Sequence, residues 1–184
     1  MVKVKKITQT ILNTVIQKRP ADSFKGTYGK IALIGGSQNF GGAIIMASLA
    51  AVYSGAGLVT TITDPTNQTS LHDWLPEAMF VDWNQFEQAA PIIQAANVVV
   101  IGPGLGTDNQ AFDLLTKTFQ LAKPGQIFVI DGSALTLLAA NKLALPQDSI
   151  NVLTPHQMEW QRVSGIQMAD QTPQEKQAAA QKLN

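Results

Sequence analysis

Short apolar runs of strand length alternate with stretches of helix length along this chain, and this alternation constrains the fold more than any other feature. Six runs of four to six residues are mostly apolar, and several are rich in β-branched side chains. Such runs are typical of strands that are buried on both faces of a parallel sheet. They comprise residues 30–34, 58–63, 78–81, 98–101, 127–130 and 150–153.

Helix-length stretches separate these runs. Residues 42–54 end at Gly55-Ala56-Gly57, a helix C-cap signal, and residues 83–95 and 108–121 follow later runs. Strands and helices in alternation predict the α/β class, with a mostly parallel sheet and helices on both faces. Because no linker or internal repeat interrupts the pattern, we expect residues 1–184 to form a single domain.

The two ends of the chain carry further helix patterns. The N-terminal apolar residues recur at a spacing of about four, which predicts an amphipathic helix rather than a signal peptide; they are Ile7, Ile11, Leu12, Val15 and Ile16. Thr172-Pro173-Gln174-Glu175 is a capping box, so a helix should run from Glu175 to Leu183. Because that helix has little apolar surface before the chain stops at Asn184, we expect the domain to be incomplete at its C-terminus.

Composition excludes several classes of function. The 13 basic and 13 acidic residues give a net charge of zero, without the basic surplus that nucleic-acid binding requires. The chain has no cysteine, which excludes thiol chemistry, and its only histidines are His72 and His156, which makes a zinc site improbable. No apolar run approaches the ~20 residues of a membrane span, so we expect a cytoplasmic protein without a membrane partner.

Residues suited to ligand binding follow four of the predicted strands. In open parallel sheets, ligands bind in the crevice outside the carboxyl ends of the strands. Here those ends lead into glycine, hydroxyl or titratable residues, in the segments Gly35–Ala43, Gly102–Gly106, Asp131–Ser133 and Thr154–His156. Four such segments on one rim predict a binding site, although each by itself is nearly as typical of an ordinary turn.

Two of these segments are rich in glycine, and each leads to a helix N-terminus whose free N–H groups can bind an anion. Glycine permits positive φ and close approach of the backbone to a ligand, so Gly35, Gly36, Ser37, Gly102 and Gly104 are candidate binding residues. Neither a G-x-G-x-x-G fingerprint nor a Walker A lysine occurs in the first segment. An ordinary dinucleotide-binding loop is therefore not predicted there.

The remaining candidates are titratable or capping residues. The Asp131 carboxylate follows a wholly apolar strand and could hold a metal-bound water or a hydroxyl, or merely cap the helix that begins near Ser133. His156 could donate a hydrogen bond to a ligand or only organise its loop. Thr107 or Asp108 is expected to cap the helix that follows the second glycine segment.

In this order, these segments resemble the NAD(P)H-hydrate dehydratase family. The matching stretches cover nearly all of residues 26–165; they are Gly26–Lys30, Ile34–Ala43, Gly55–Val59, Pro76–Met79, Ile101–Gly106, Asp131–Leu135, and Leu153–His156 with Glu159. The resemblance implies a ribokinase-like fold and an enzyme that repairs hydrated NADH or NADPH. It implies that ADP or ATP, with Mg²⁺, phosphorylates the C6 hydroxyl of the hydrate, after which phosphate leaves.

Particular residues are assigned by the same resemblance. Ala43, Gly106 and His156 match positions that hold the hydrate, and Ser37 and Asp131 are the next choices; no protein metal ligand is assigned. The family's lysine-bearing nucleotide segment and its Gly-Thr-Gly-Asp motif, whose aspartate is the general base, are expected beyond residue 184. We therefore assign no catalytic residue and expect these 184 residues alone to show no turnover. A homo-oligomer such as a tetramer is also implied.

The chain departs from the family pattern at three places. Ser133 stands where a second aspartate is common, Gln157-Met158 replace proline-glycine, and Phe40 replaces tyrosine. The first change weakens a metal or hydroxyl role at that position. Two other functions stay open, namely a small-molecule kinase of the ribokinase-like group and a non-catalytic nucleotide-binding protein. The sequence distinguishes neither ADP from ATP nor hydrated NADH from hydrated NADPH.

Overall fold

A six-stranded parallel sheet forms the centre of the protein in a computed structural model that describes residues 6–16 and 18–183. The strand order is β3-β2-β1-β4-β5-β6, and every neighbouring pair is parallel. The strands are β1 (Lys30–Ile34), β2 (Leu58–Thr63), β3 (Met79–Asp82), β4 (Val98–Ile101), β5 (Ile127–Ile130) and β6 (Ile150–Leu153). The α/β class is confirmed, and five of the six strands have the predicted bounds.

Helices connect successive strands and lie on both faces of the sheet. They are α1 (Leu12–Val15), α2 (Gly41–Tyr53), α3 (Gln68–Trp74), α4 (Phe86–Ala95), α5 (Asn109–Gln120), α6 (Gly132–Asn141), α7 (Gln157–Ser164) and α8 (Pro173–Ala180). Short 3₁₀ turns occupy Gln9–Ile11, Lys25–Tyr28, Pro65–Asn67 and Met168–Asp170. Within the described ranges, no helix combines the length and the apolar character needed to cross a membrane.

The core has two parts, one on each face of the sheet. On one face, α4, α5 and α6 pack against alternate residues of the central strands, among them Ala32, Val99 and Phe128, which are fully buried. On the other face, α2 and α3 pack against Leu33 and Val59. In the strands that helices cover on both faces, this alternation explains the apolar runs, because both side-chain directions reach a helix layer.

One region of the second face has no helix over it among the described residues. The strands β4, β5 and β6 present a row of aliphatic side chains there, and accessibility rises toward the edge, where Ile150 is 58% and Val152 is 42% exposed. Half-buried Val129 lies beside Val152 in the row. An apolar row of this kind is typical of a surface that another element covers.

The chain ends differ from the sequence prediction in extent. The N-terminal pattern forms only a 3₁₀ turn and the four-residue α1, and its apolar side chains, including Ile7 (74% exposed) and Val15 (70% exposed), contact no core cluster. The predicted helix therefore forms only over the 3₁₀ turn Gln9–Ile11 and α1, and it buries no apolar face. At the other end, α8 begins at Pro173, and the Thr172 hydroxyl accepts a hydrogen bond from the Glu175 N–H, as the capping box predicts.

Candidate functional site

The register of the sheet places the four predicted segments on one rim. The last residues of four strands pair side by side, Ile34 with Ile101, Ile101 with Ile130, and Ile130 with Leu153. The segment that follows each of these strands therefore starts at the same level of the sheet. This alignment is what an open parallel sheet uses to build a ligand crevice.

Backbone hydrogen bonds join the two glycine segments into one unit. The Gly36 N–H donates to the Pro103 carbonyl oxygen at 2.9 Å, and the Ser37 N–H donates to the Gly104 carbonyl oxygen at 2.6 Å. Two successive bonds fix the first segment against the second over its first three residues. We name this paired unit, residues 35–43 with 102–106, the double glycine loop.

Close contacts explain the glycines of the double glycine loop. A Cβ at Gly35 would lie 2.2 Å from the Pro103 carbonyl oxygen, and a Cβ at Gly104 would lie 2.3 Å from the Phe40 carbonyl oxygen and 3.2 Å from the Ala43 Cβ. Gly104 also has φ +64°, a left-handed conformation that favours glycine. These glycines are needed for packing within the loop, whether or not a ligand also approaches their backbone.

Gly106 differs from the other glycines of this unit. Its φ is +90°, but a Cβ built there would meet only Ser37, at 4.0 Å. The predicted substrate contacts Ser37 and Gly106 are therefore neighbours, with space for a methyl group in van der Waals contact with Ser37, and Ala43 lies at the start of α2 beside Gly104. The structure brings these three candidates together in the double glycine loop.

Three donors converge on a single carbonyl of this loop, which the sequence analysis did not anticipate. The Gly36 carbonyl oxygen accepts from the Asn67 Nδ2 at 2.6 Å, the Thr63 hydroxyl at 2.8 Å and the Asp64 N–H at 3.3 Å. Asn67 and Thr63 are buried, and the Asn67 Oδ1 lies against Gly41, where a Cβ would be 1.9 Å away. Thr63 ends β2, and Asp64 and Asn67 follow it; because no glycine motif marks this strand end, nothing in the sequence pointed to these residues.

Replacing Asn67 with alanine should lower the free energy of unfolding by about 1–3 kcal/mol, because the change removes two buried hydrogen bonds and leaves the Thr63 and Gly36 oxygens short of a donor. Urea unfolding followed by circular dichroism measures this loss. The exposed neighbour Gln68 provides the control, since Gln68→Ala should change stability by no more than about 0.5 kcal/mol. Equal unfolding midpoints for the two variants would contradict the assigned role of Asn67.

Asp131 connects the second and fourth segments of the rim. A Cβ at Gly102 would lie 1.8 Å from the Asp131 carbonyl oxygen, and the Asp131 Oδ1 accepts a hydrogen bond from the Thr154 hydroxyl at 2.7 Å. Asp131 occupies the N-cap position of α6, but its side chain accepts no backbone N–H there. Of the roles left open by the sequence, side-chain capping is therefore wrong, since the carboxylate accepts from the Thr154 hydroxyl instead, and a role of Asp131 toward a ligand stays a prediction.

His156 caps the helix α7, which the sequence analysis did not predict. Its Nδ1 accepts hydrogen bonds from the Met158 N–H at 3.1 Å and the Glu159 N–H at 3.3 Å. Among the hydrogen bonds of the described residues, those of His156 stay within its own helix and its start, and none reaches the double glycine loop. Of the two residues predicted to cap α5, Thr107 and Asp108, the second is confirmed, because the Asp108 Oδ1 accepts from the Ala111 N–H at 2.8 Å.

The remaining titratable residues do not form a metal centre. In residues 6–16 and 18–183, no three His, Asp or Glu side chains lie close enough together to hold a metal ion. His72 is exposed on α3, away from the rim, as the sequence predicts for a surface residue. The rim therefore offers backbone N–H groups, hydroxyls, one carboxylate and one imidazole, a set suited to binding phosphate and hydroxyl groups.

Comparison with known proteins identifies related chains over this same region. A family model described as NAD(P)H-hydrate dehydratase matches residues 31–184. The ADP-dependent (S)-NAD(P)H-hydrate dehydratase of Lactiplantibacillus plantarum is 58% identical over 177 residues, covering 96% of this chain and 63% of the relative. The Staphylococcus aureus protein of the same name is 43% identical over 178 residues, covering 96% and 64%. The chain thus spans about three fifths of the length of these curated relatives.

Solved structures give the same result. A ribokinase-like superfamily protein from Enterococcus faecalis superposes with a TM-score of 0.92 at 42% identity, covering 96% of this chain and 62% of that protein. An ADP/ATP-dependent NAD(P)H-hydrate dehydratase from Bacillus subtilis, co-crystallised with ATP and Mg²⁺, superposes with a TM-score of 0.75 at 27% identity, covering 94% and 60%. The predicted ribokinase-like fold is confirmed.

Proposed function

This chain belongs to the NAD(P)H-hydrate dehydratase family, and from that membership we propose that its protein restores hydrated NADH or NADPH to the reduced dinucleotide at the expense of ADP. The observation that carries the proposal is that the family match, over residues 31–184, runs through all four segments of the rim. The (S) epimer named for the relatives is the proposed substrate.

The chemistry of this reaction resembles that of a kinase followed by an elimination. The β-phosphoryl group of ADP is transferred to the C6 hydroxyl of the hydrate, which leaves AMP. Phosphate then departs with the C6–O electron pair while the neighbouring carbon loses a proton, and the ring double bond returns. Phosphorylation matters because hydroxide is a poor leaving group and phosphate is a good one, and the ring nitrogen donates electrons toward the breaking bond.

In this proposal the double glycine loop binds the hydrate. Ser37 and Gly106 lie side by side where the two glycine segments meet, and Gly106 has no side chain to obstruct a ligand there. The N-terminus of α2 favours negatively charged phosphate. Gly35, Gly36 and Gly102 are buried and their N–H groups donate to backbone carbonyls, so these three residues support the loop from beneath rather than offer free donors. Asp131 and Thr154 form a hydrogen-bonded pair that can hold a hydroxyl, and His156 supplies an N–H donor.

We propose that Mg²⁺ binds only together with the phosphoryl donor, through the phosphates of that donor. The described residues provide no cage of carboxylates for it, and Mg²⁺ is commonly bound by one or two carboxylates together with substrate phosphates. When bound, the ion would neutralise charge on the transferring phosphoryl group. We assign no reaction step to Mg²⁺ and name no protein residue as its ligand; the phosphates of the donor nucleotide are its only proposed ligands.

The test is an absorbance assay with the protein expressed from its intact gene. We expect the reduced-nicotinamide absorbance of NADH or NADPH hydrate to recover when ADP is present and not when it is omitted. Recovery that is equally fast without any nucleotide would overturn the proposal, and recovery with ATP but not ADP would correct the donor.

Two other functions are distinguished by related measurements. A small-molecule kinase would consume ADP or ATP with a sugar, vitamin or thiazole alcohol and leave the hydrate untouched. A binding protein would take up NADPH or ADP in calorimetry without any turnover. We also propose a homo-oligomer, which light scattering on a sizing column measures directly.

A further inference from the structure

The Glu159 carboxylate contacts His156, the proposed hydrate contact, at two places. The Glu159 Oε2 accepts a hydrogen bond from the His156 backbone N–H at 2.9 Å, while its Oε1 lies 3.4 Å from the His156 Nε2. The same carboxylate therefore contacts both the backbone and the ring of one residue. The Glu159 side chain is only 10% exposed, whereas the His156 side chain is 65% exposed.

The second ring nitrogen determines where the ring proton lies. The His156 Nδ1 accepts from two backbone N–H groups, those of Met158 and Glu159. A nitrogen that accepts hydrogen bonds must carry a lone pair, so the proton of the neutral ring lies on Nε2. That places a donor opposite the Glu159 carboxylate, which is an acceptor only, and the whole arrangement is consistent with one tautomer.

We infer that Glu159 is a positioning residue, which together with the N-terminus of α7 holds His156 as a fixed Nε2–H donor for the bound substrate. The inference rests on the proposed function for the substrate, but not for the tautomer. The 3.4 Å contact is an ion-pair distance and is not one of the hydrogen bonds of the structure, and the ring is open to solvent. The Nε2–H is therefore oriented by Glu159 and still available to a ligand.

This arrangement also specifies which part of the hydrate His156 can recognise. A fixed N–H donor requires an acceptor, so the partner is a phosphate oxygen, a ribose oxygen or the carboxamide carbonyl, and not an N–H group. A cationic partner is disfavoured as well, because the ring offers it no lone pair while Nδ1 is occupied. The chemical class of the contact thus follows from the two cap bonds.

Nitrogen NMR of the imidazole rings tests the tautomer without any substrate. In protein labelled with ¹⁵N-histidine, the variant His156→Gln identifies the ring signals of His156, because they are the signals that disappear. We expect His156 in the wild type to be protonated at Nε2. Protonation at Nδ1, or equal population of both tautomers, would overturn the inference whatever the protein's activity.

The variant Glu159→Gln tests the role of the carboxylate. Its amide oxygen can still accept from the His156 N–H, but its NH₂ group then faces the Nε2–H. We expect the ring ¹⁵N shifts to move toward tautomer-averaged values and the Kd for NADPH hydrate to rise about fivefold, the effect of losing one ordinary hydrogen bond. Glu175→Gln is the matched control, because Glu175 is the third residue of α8 as Glu159 is of α7, and it should change neither quantity.

A double-mutant cycle separates positioning from mere support of the fold. If Glu159 acts through the ring, Glu159→Gln should cost nothing further in the hydrate Kd when His156 is already alanine. A full fivefold loss in that background would overturn the positioning role. Failure of the wild type to bind the hydrate at all would overturn the proposed function, while the ring shifts would still decide the orientation of His156.

Discussion

Replacing Gly102 with alanine should destabilise the protein by about 4 kcal/mol, the largest single-residue effect that we expect. A Cβ there would lie 1.8 Å from the Asp131 carbonyl oxygen and 2.8 Å from the Ala134 Cβ, at φ +122°. Backbone strain at such a conformation costs ~1–3 kcal/mol, and overpacking a dense site costs ~1–3 kcal/mol more. Because the first contact is with backbone, the clash is relieved only if β4 and β5 separate at the rim.

Urea unfolding of Gly102→Ala and two matched glycine variants measures this effect. Gly125 has φ +80° with nothing within 4 Å of a built Cβ, so Gly125→Ala should show the strain cost alone, about 1 kcal/mol. Gly42 lies in α2 with neither constraint, so Gly42→Ala should be neutral or stabilising by up to ~1 kcal/mol. If Gly102→Ala loses no more than Gly125→Ala, the close approach of the two strand ends is not what requires glycine.

The strands could be predicted from the sequence because burial on both faces leaves a direct compositional trace. Element ends were less predictable where a side chain redirects the backbone. Residues 83–95 read as one helix, yet α4 begins only at Phe86, since the Asp82 carboxylate accepts from the Asn84 N–H and side chain and forms a turn. β3 correspondingly begins at Met79 and ends at Asp82, one residue later than predicted.

The residues of the candidate site also include some that the sequence predicts and some that it does not. Residues at strand ends were predictable, because a parallel sheet brings those ends to one rim and glycine marks where backbones approach. Asn67 was not, since its contact with Gly36 joins residues 31 positions apart and a lone asparagine after a turn signals nothing about its partner. The α7 N-terminus was missed for a different reason, because histidine is not among the residues that usually cap helices.

The second large effect concerns Gly106 and the proposed hydrate site. Gly106→Ala should weaken binding of NADPH hydrate roughly 30-fold, equivalent to about 2 kcal/mol, because the methyl group would lie beside Ser37 on the surface at which the hydrate is proposed to bind. Stability should fall by only about 1 kcal/mol, since the built Cβ meets no atom closer than 4.0 Å and only the φ of +90° is unfavourable. Calorimetric titration with the hydrate measures the first quantity and urea unfolding the second.

Gly165→Ala separates ligand approach from backbone strain. Gly165 has φ +76° at the end of α7 and open space around its built Cβ, so this variant carries the same strain away from the double glycine loop. We expect it to match Gly106→Ala in lost stability and the wild type in hydrate affinity. If the two variants bind the hydrate equally well, the substrate does not contact Gly106. If Gly106→Ala instead loses affinity with stability close to that of Gly165→Ala, a steric contact with the ligand is the remaining cause, because strain is common to both.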